Sequence, residues 1–270
     1  MTVTKGPVIA KGRTAEIFAW GDKQVLKLFR DWCTADMVER EANSTMVVHK
    51  AGLPVPAVKG VVEANGRQGI VFERVQGRTM ADTFMHAPWK VFQLARVMAE
   101  LQATMHSCET PELPSRRERL EVTIKGVAAL PTNTKEAVLE ILSQLPDGNA
   151  VCHGDFFANN IIMSTQGPII IDWFGAARGN PLADVARTWL LNRMAYIEAG
   201  IPERWLINPI RPLFHSAYLR RYLQLRPATR EQITAWLLPV VAARLAENIP
   251  EEEQGFLELI EKQLSQQNYG

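Results

Sequence analysis

Cysteine is scarce in this chain. Cys33, Cys108 and Cys152 are odd in number and far apart among 270 residues. That excludes a disulfide framework, argues against a zinc site, and points to a reducing compartment. Long apolar runs are missing too: no stretch reaches 18 residues, so no membrane-spanning helix is expected. The segment from Met1 to Lys11 lacks the apolar core of a signal peptide, and the expectation is a soluble cytoplasmic protein. Charge of one sign is absent as well. Thirty Lys and Arg against 29 Asp and Glu leave a net charge of +1. Such a surface offers no field to draw nucleic acid or an anionic membrane. No internal repeat or low-complexity tract appears. What is present is a 47% apolar content, enough for one large domain or two small lobes.

The chain changes texture once. Strand-like runs come first: Val8–Ala10, Ile17–Trp20 and Val25–Phe29, with turns near Gly12 and Gly21. A helical stripe of Met37, Val38, Thr45 and Val48 follows over 34–50, ended by Gly52 with Pro54 and Pro56 beyond it. Two more strands, 58–62 and 68–75, flank the turn Ala64-Asn65-Gly66. Past Gly77 the periodicity is helical over 79–86, 88–107, 116–129 and 134–145, and again over 182–198, 203–225, 229–246 and 250–267. This predicts an α+β organisation with a β-rich part over residues 1–75 and a helical part over 76–270.

Between the two helical stretches lies the most informative segment. Cys152-His153-Gly154-Asp155 opens a loop. Asn160 precedes the short run Ile161-Ile162-Met163, and after the turn 164–168 a second run, Ile169-Ile170-Ile171, ends on Asp172. Folded back as a hairpin, the two runs set Asn160 roughly opposite Asp172, with Asp155 in the loop just before. Three oxygen-bearing side chains at these spacings suit a hard cation and a hydroxyl awaiting deprotonation, the needs of phosphoryl transfer. Two further charges stand out. Lys27 shares a strand face with Val25 and Phe29, and Glu41 lies on the apolar stripe of its helix, four residues from Met37 and from Thr45. Opposite charges embedded in apolar surfaces are best explained by each other, with Glu39 competing for the partner role.

These pieces resemble the aminoglycoside phosphotransferase and choline kinase-like enzymes, relatives of the protein kinases. The likeness rests on His153-Gly154-Asp155 with Asn160, on Ile171-Asp172-Trp173, and on Gly179-Asn180-Pro181-Leu182-Ala183-Asp184. Upstream it rests on Val25-Leu26-Lys27, Arg40-Glu41-Ala42 and Val71-Phe72-Glu73-Arg74-Val75. The resemblance implies a two-lobed protein kinase-like fold: a small antiparallel sheet lobe with one helix, then a larger, mainly helical lobe. It implies ATP and Mg²⁺ as cofactors and a small-molecule hydroxyl as acceptor. Asp155 would be the catalytic base, Asn160 and Asp172 the metal ligands, and Lys27 with Glu41 the pair holding the nucleotide phosphates. Thr14, in a turn with only one glycine, would cover those phosphates, while Glu73 and Val75 would meet adenine through their main chain.

The acceptor stays open among an aminoglycoside and an alcohol such as choline, thiamine or homoserine. Glu198, Glu203, Glu247 and Glu251 could serve a polycation, yet Arg193, Arg204, Arg211, Arg220, Arg221 and Arg244 dilute them. His153 and His106 read as structural, and Asp184 as a helix cap or a support for the loop at His153. Two other functions compete: a catalytically silent nucleotide-binding regulator, and a metal-dependent hydrolase using His153, Asp155 and Asp172. With five histidines in the chain, the hydrolase has few ligands to draw on. Monomer and dimer are equally open.

Overall fold

The computed structural model describes residues 5–196 and 204–267, with side chains over 5–196 and 207–265. The chain divides into two compact units, Met1–Thr83 with Ala158–Ala176, and Phe84–Phe157 with Ala177–Gly270. The hairpin after Asp155 therefore belongs with the N-terminal part rather than with the helices that surround it in sequence. The architecture is α+β, as the strand and helix periodicities indicate.

The first unit is built on five strands: β1 (Lys5–Lys11), β2 (Ala15–Trp20), β3 (Gln24–Phe29), β4 (Val58–Ala64) and β5 (Arg67–Glu73). They form an antiparallel sheet ordered β1-β2-β3-β5-β4, so β3 is central. Its alternation buries both faces. Phe29 joins Ile70, Phe72 and, from the helix α1 (Ala35–Lys50), Val38 and Ala42, while Leu26 and Leu28 pack on the opposite face with Phe18 and Val71. Each such aliphatic or aromatic side chain contributes about 1.5–3 kcal/mol. Thr34 caps α1 by accepting from the Met37 amide, and Gly52 follows its end at φ +83°.

Three shorter strands hold the hairpin: β6 (Gly77–Thr79), β8 (Ile161–Ser164) and β9 (Gly167–Ile170), numbered with β7 (Ala150–Cys152) of the second unit between them in the chain. The sheet order is β6-β8-β9. Thr165 and Gln166 alone make the turn. Ser164 Oγ closes it by donating to the Gly167 carbonyl and accepting from the Gln166 amide. That two-residue turn pairs Ile161 with Ile170 and sets the Ile171 amide on the Asn160 carbonyl at 2.9 Å. Asp172 thus falls one residue beyond the position opposite Asn160, a correction of one register step. The Ile170 amide donates to the Pro54 carbonyl, tying the hairpin to the segment after α1.

The chain passes from the first unit into the second within α2 (Met80–His86), and the second continues with α3 (Val91–Met105), α4 (Arg116–Gly126) and α5 (Thr132–Gln144). A two-stranded antiparallel ladder of β7 and β10 (Ala177–Gly179) delivers the His153 loop from one strand and α6 (Pro181–Arg193) from the other. Asn180 caps α6 by accepting from the Leu182 amide, with Pro181 pre-set for the first turn. Next comes α7 (Arg204–Leu225). The periodic stretch 229–246 is not one helix but α8 (Arg230–Ala235) and α9 (Leu237–Arg244). Pro239 has no amide hydrogen to continue the first segment, and the chain breaks at Trp236. Last is α10 (Pro250–Gln267). Among the described residues no helix is long and apolar enough to cross a membrane.

Candidate active site

Two groups of side chains form, one in each unit. In the first, Lys27 reaches from the middle of β3 toward α1. Its Nζ donates to Glu41 Oε1 at 2.6 Å and to Asp172 Oδ1 at 2.7 Å. Lys27 is 7% exposed and Glu41 1%, whereas Glu39 is exposed, which settles the choice of partner. Burial alone would lower the Lys27 pKa, but Asp172 and Glu41 outweigh it and hold the ammonium charged. Burial raises the Glu41 carboxyl, and Lys27 opposes that rise. Removing one member of such a buried pair costs about 3–5 kcal/mol, because its partner is stranded.

Asp172 follows β9 in the left-handed backbone region, at φ 66° and ψ 63°. A non-glycine residue there carries strain of about 1–3 kcal/mol and occurs where the surroundings over-determine it. The restraints on the residues around it are visible. Ile171 is bonded to Asn160, Trp173 is buried with its indole N–H on the Ile170 carbonyl, and Phe174 packs on the cluster around Phe29. Asn160, 7% exposed, sits on the neighbouring backbone position. Thr14 lies in the β1–β2 turn, its carbonyl accepting from the Arg30 amide. Glu73 ends β5, and Val75 follows two residues later. The amides of Glu73 and Arg74 are engaged by the Ala57 and Lys23 carbonyls.

In the second unit one helix face grips the His153 loop at three consecutive residues. Asp184, Arg187 and Thr188 stand at i, i+3 and i+4 on α6. Asp184 Oδ1 accepts from the Gly154 amide at 2.6 Å, Arg187 Nη2 donates to Asp155 Oδ1 at 3.0 Å, and Thr188 Oγ1 donates to the Phe156 carbonyl at 3.0 Å. Gly154 adopts φ +83°, a conformation that favours glycine. His153 is fully buried and turns back on its own loop, Nδ1 accepting from the Asp155 amide at 3.2 Å.

Behind this face, Asp184 Oδ2 accepts from Gln102 Nε2 at 3.0 Å and from His106 Nε2 at 3.2 Å. Burial by itself would raise the Asp184 pKa; the His106 hydrogen bond leads the groups that hold it well below the usual carboxylate range. Burial lowers the His106 pKa against the pull of Asp184. The ionised Asp184 requires the imidazole proton on Nε2, leaving Nδ1 to accept from the Tyr222 hydroxyl at 2.7 Å. Asp184 and His106 are thus structural, and Asn180, not Asp184, caps α6.

Of the acidic residues named for a polycation, Glu247 is taken up by Arg187 at 2.5 Å and by Arg244 at 2.6 Å. Glu198 and Glu203 lie outside the described residues. Arg211 is committed to the end of α6, donating to the Leu191, Asn192 and Ala195 carbonyls. Among the described residues no three His, Cys, Asp or Glu side chains cluster as a metal set. Sequence reasoning missed Arg187 and Thr188. The one available signal was a pair of polar residues inside the otherwise apolar run from Val185 to Leu191.

A model of the phosphotransferase enzyme family matches residues 6–236. The chain belongs to that family, and it is an enzyme of the kinase class. Its fold is that of solved relatives. One is a thermostable mutant of aminoglycoside phosphotransferase APH(4)-Ia in a ternary complex with ADP and hygromycin B, 17% identical, with 96% of this chain and 93% of that one covered and a TM-score of 0.68. Another is a choline/ethanolamine kinase family protein from Mesorhizobium loti, 18% identical over 94% and 85%, TM-score 0.57. A third is aminoglycoside phosphotransferase APH(3'')-Id from Streptomyces rimosus with ADP and streptomycin, 19% identical over 88% and 92%, TM-score 0.55. No curated protein matches the chain.

Proposed function

We propose that this phosphotransferase moves the γ-phosphoryl group of ATP to a hydroxyl of a small molecule, with Asp155 as the general base. The observation that supports this most is the buried Lys27 joined to Glu41 and Asp172, with Asp172 held in a strained backbone. Phosphoryl transfer asks the protein for position and charge rather than covalent chemistry. Lys27, kept protonated and steered by Glu41, would hold the α- and β-phosphates. Thr14 and its turn would lie over them. With the Glu73 and Arg74 amides already engaged, adenine would be met by the Glu73 carbonyl and the Val75 amide. Asn160 and Asp172 supply an amide oxygen and a carboxylate on adjacent backbone positions, a donor set that fits Mg²⁺. When bound, Mg²⁺ would neutralise charge on the phosphates. Asp155 would accept the proton of the acceptor hydroxyl as the bond to phosphorus forms.

The commitment of Glu247 to two arginines favours a neutral or singly charged alcohol over a polycationic aminoglycoside as the acceptor. A panel of choline, thiamine, homoserine and aminoglycosides in an ADP-release assay tests the reading. One acceptor should raise turnover well above that with water. MgATP should also stabilise the fold by mass action, by about 2.7 kcal/mol at a hundredfold excess over Kd, and so raise the melting temperature. Asp155→Asn is expected to abolish turnover and keep that thermal shift. Near-normal turnover in Asp155→Asn would take the base role from Asp155. A thermal shift with no ADP release from any acceptor would point to a silent regulator.

A further inference from the structure

Arg187 is a charged residue on a helix face whose neighbours Val185 and Ala186 are fully buried, and it is itself 7% exposed. Such a guanidinium needs compensation. It finds two carboxylates from different parts of the unit: Asp155 Oδ1 at 3.0 Å, in the loop, and Glu247 Oε1 at 2.5 Å, in the turn after α9. Glu247 is held in turn by Arg244 through its other oxygen at 2.6 Å. Arg244 grips Glu252 of α10 twice, Nε to Oε2 at 2.8 Å and Nη2 to Oε1 at 3.0 Å. Five charges of alternating sign therefore run from Asp155 to α10. Arg244 and Glu252 are both at least nine-tenths buried, so the far end of the chain is fixed by packing.

A carboxylate on a loop can rotate, and a base must present its lone pair along one direction. We propose that Arg187 is a positioning residue: by anchoring Oδ1 of Asp155 it fixes the direction in which Oδ2 points, and Glu247 and Arg244 keep the guanidinium plane from turning. This rests on the assignment of Asp155 as the base. A planar guanidinium sets orientation as well as charge, which an ammonium does not. The role predicts a loss in turnover without a loss in nucleotide affinity.

The test compares Arg187→Met, Arg187→Ala and Arg187→Lys with Asp155→Asn in the full chain, reading ADP release from MgATP with water as acceptor. Melting curves serve as the fold control. Turnover should fall about tenfold to a hundredfold in the Met and Ala variants, with KM for ATP within about twofold of the parent. Guanidinium ion at tens of millimolar should restore part of the loss in Arg187→Ala and nothing in Asp155→Asn. If the truncated variants do not melt cooperatively, Arg187→Lys, which keeps the charge, should still lose about fivefold or more. Parental turnover in a folded Arg187→Met or Arg187→Lys, with Asp155→Asn silent, would overturn the positioning role and leave the base in place. Parental turnover in Asp155→Asn would overturn both.

Discussion

At the scale of single residues, one amine holds together the charged group of the first unit. Lys27 is shared by two carboxylates that arrive from different elements, Glu41 from α1 and Asp172 from the end of β9. Lys27→Met should destabilise the fold by about 3–5 kcal/mol, because Glu41 is left buried without a counter-charge. Lys27→Met combined with Glu41→Met should recover most of that stability, since an apolar pair of similar volume is often neutral or better. Asp172, with 39% of its side chain exposed, stays hydrated in both. Denaturant titrations of the two single variants and the double variant give the coupling, and neither Lys27 variant should show the thermal shift with MgATP. A double variant no more stable than Lys27→Met would mean that the buried Glu41 carboxylate does not need its amine. The residue pattern made this pair legible from sequence: a lysine on an apolar strand face and a glutamate on an apolar helical stripe. Arg187 was illegible for the opposite reason. Its partners, Asp155 and Glu247, lie 32 and 60 residues away, and no local periodicity encodes a meeting over that distance.

At the scale of elements, strands and helices long enough to show a period were read close to their observed bounds, α1 and β3 above all. The three-residue strands β6, β7 and β10 were not. Each is too short for alternation to register, and each exists because a distant segment pairs with it: Arg78 with Met163, Val151 with Arg178. The sequence places the hairpin register one step away from the observed one because Gly167 and Pro168 look like turn residues, yet both belong to β9. Gly167 takes φ +120°, and Pro168 lies across from Met163. The joint between β6 and β8 is closely packed. A Cβ on Gly77 would sit 2.4 Å from the Met163 carbonyl oxygen. Gly77→Ala should therefore cost about 1–3 kcal/mol, from forced separation of the two strands. It should appear as a lower denaturant midpoint at unchanged slope, and an unchanged midpoint would show that the strands part freely.

At the scale of the molecule, the second unit buries two histidines whose pKa is lowered by burial, so acid should act there. His215 on α7 is 3% exposed, packs edge-on against Trp189, and has no hydrogen-bond partner for either ring nitrogen among the described residues. Burial, with the charge of Arg193 adding to it, pushes its pKa down from 6.5 to about 4. The folded form then holds a neutral ring where the unfolded chain takes up a proton below pH 6.5. Stability is full above that value and falls as the pH drops toward 4, by up to about 3 kcal/mol at roughly 1.4 kcal/mol per unit. His106, also lowered by burial, acts in the same direction. His215→Phe should flatten the fall in melting temperature between pH 7 and 4.5 and leave a residual slope from His106. An unaltered pH dependence would remove His215 as a source.

The hold of α6 on the His153 loop has one more consequence. Asp184 and Thr188 are both at 0% exposure, and Gln102 and His106 close over them from α3 and its C-terminal end. Loops usually open far more readily than the core of a protein. Here the amide of Gly154 can be freed only by leaving Oδ1 of a buried carboxylate, held in place through its other oxygen, short of a donor. The stretch carrying Asp155 therefore shares the lifetime of the helices beneath it, and heat or denaturant should release that loop when the helical layer melts rather than earlier.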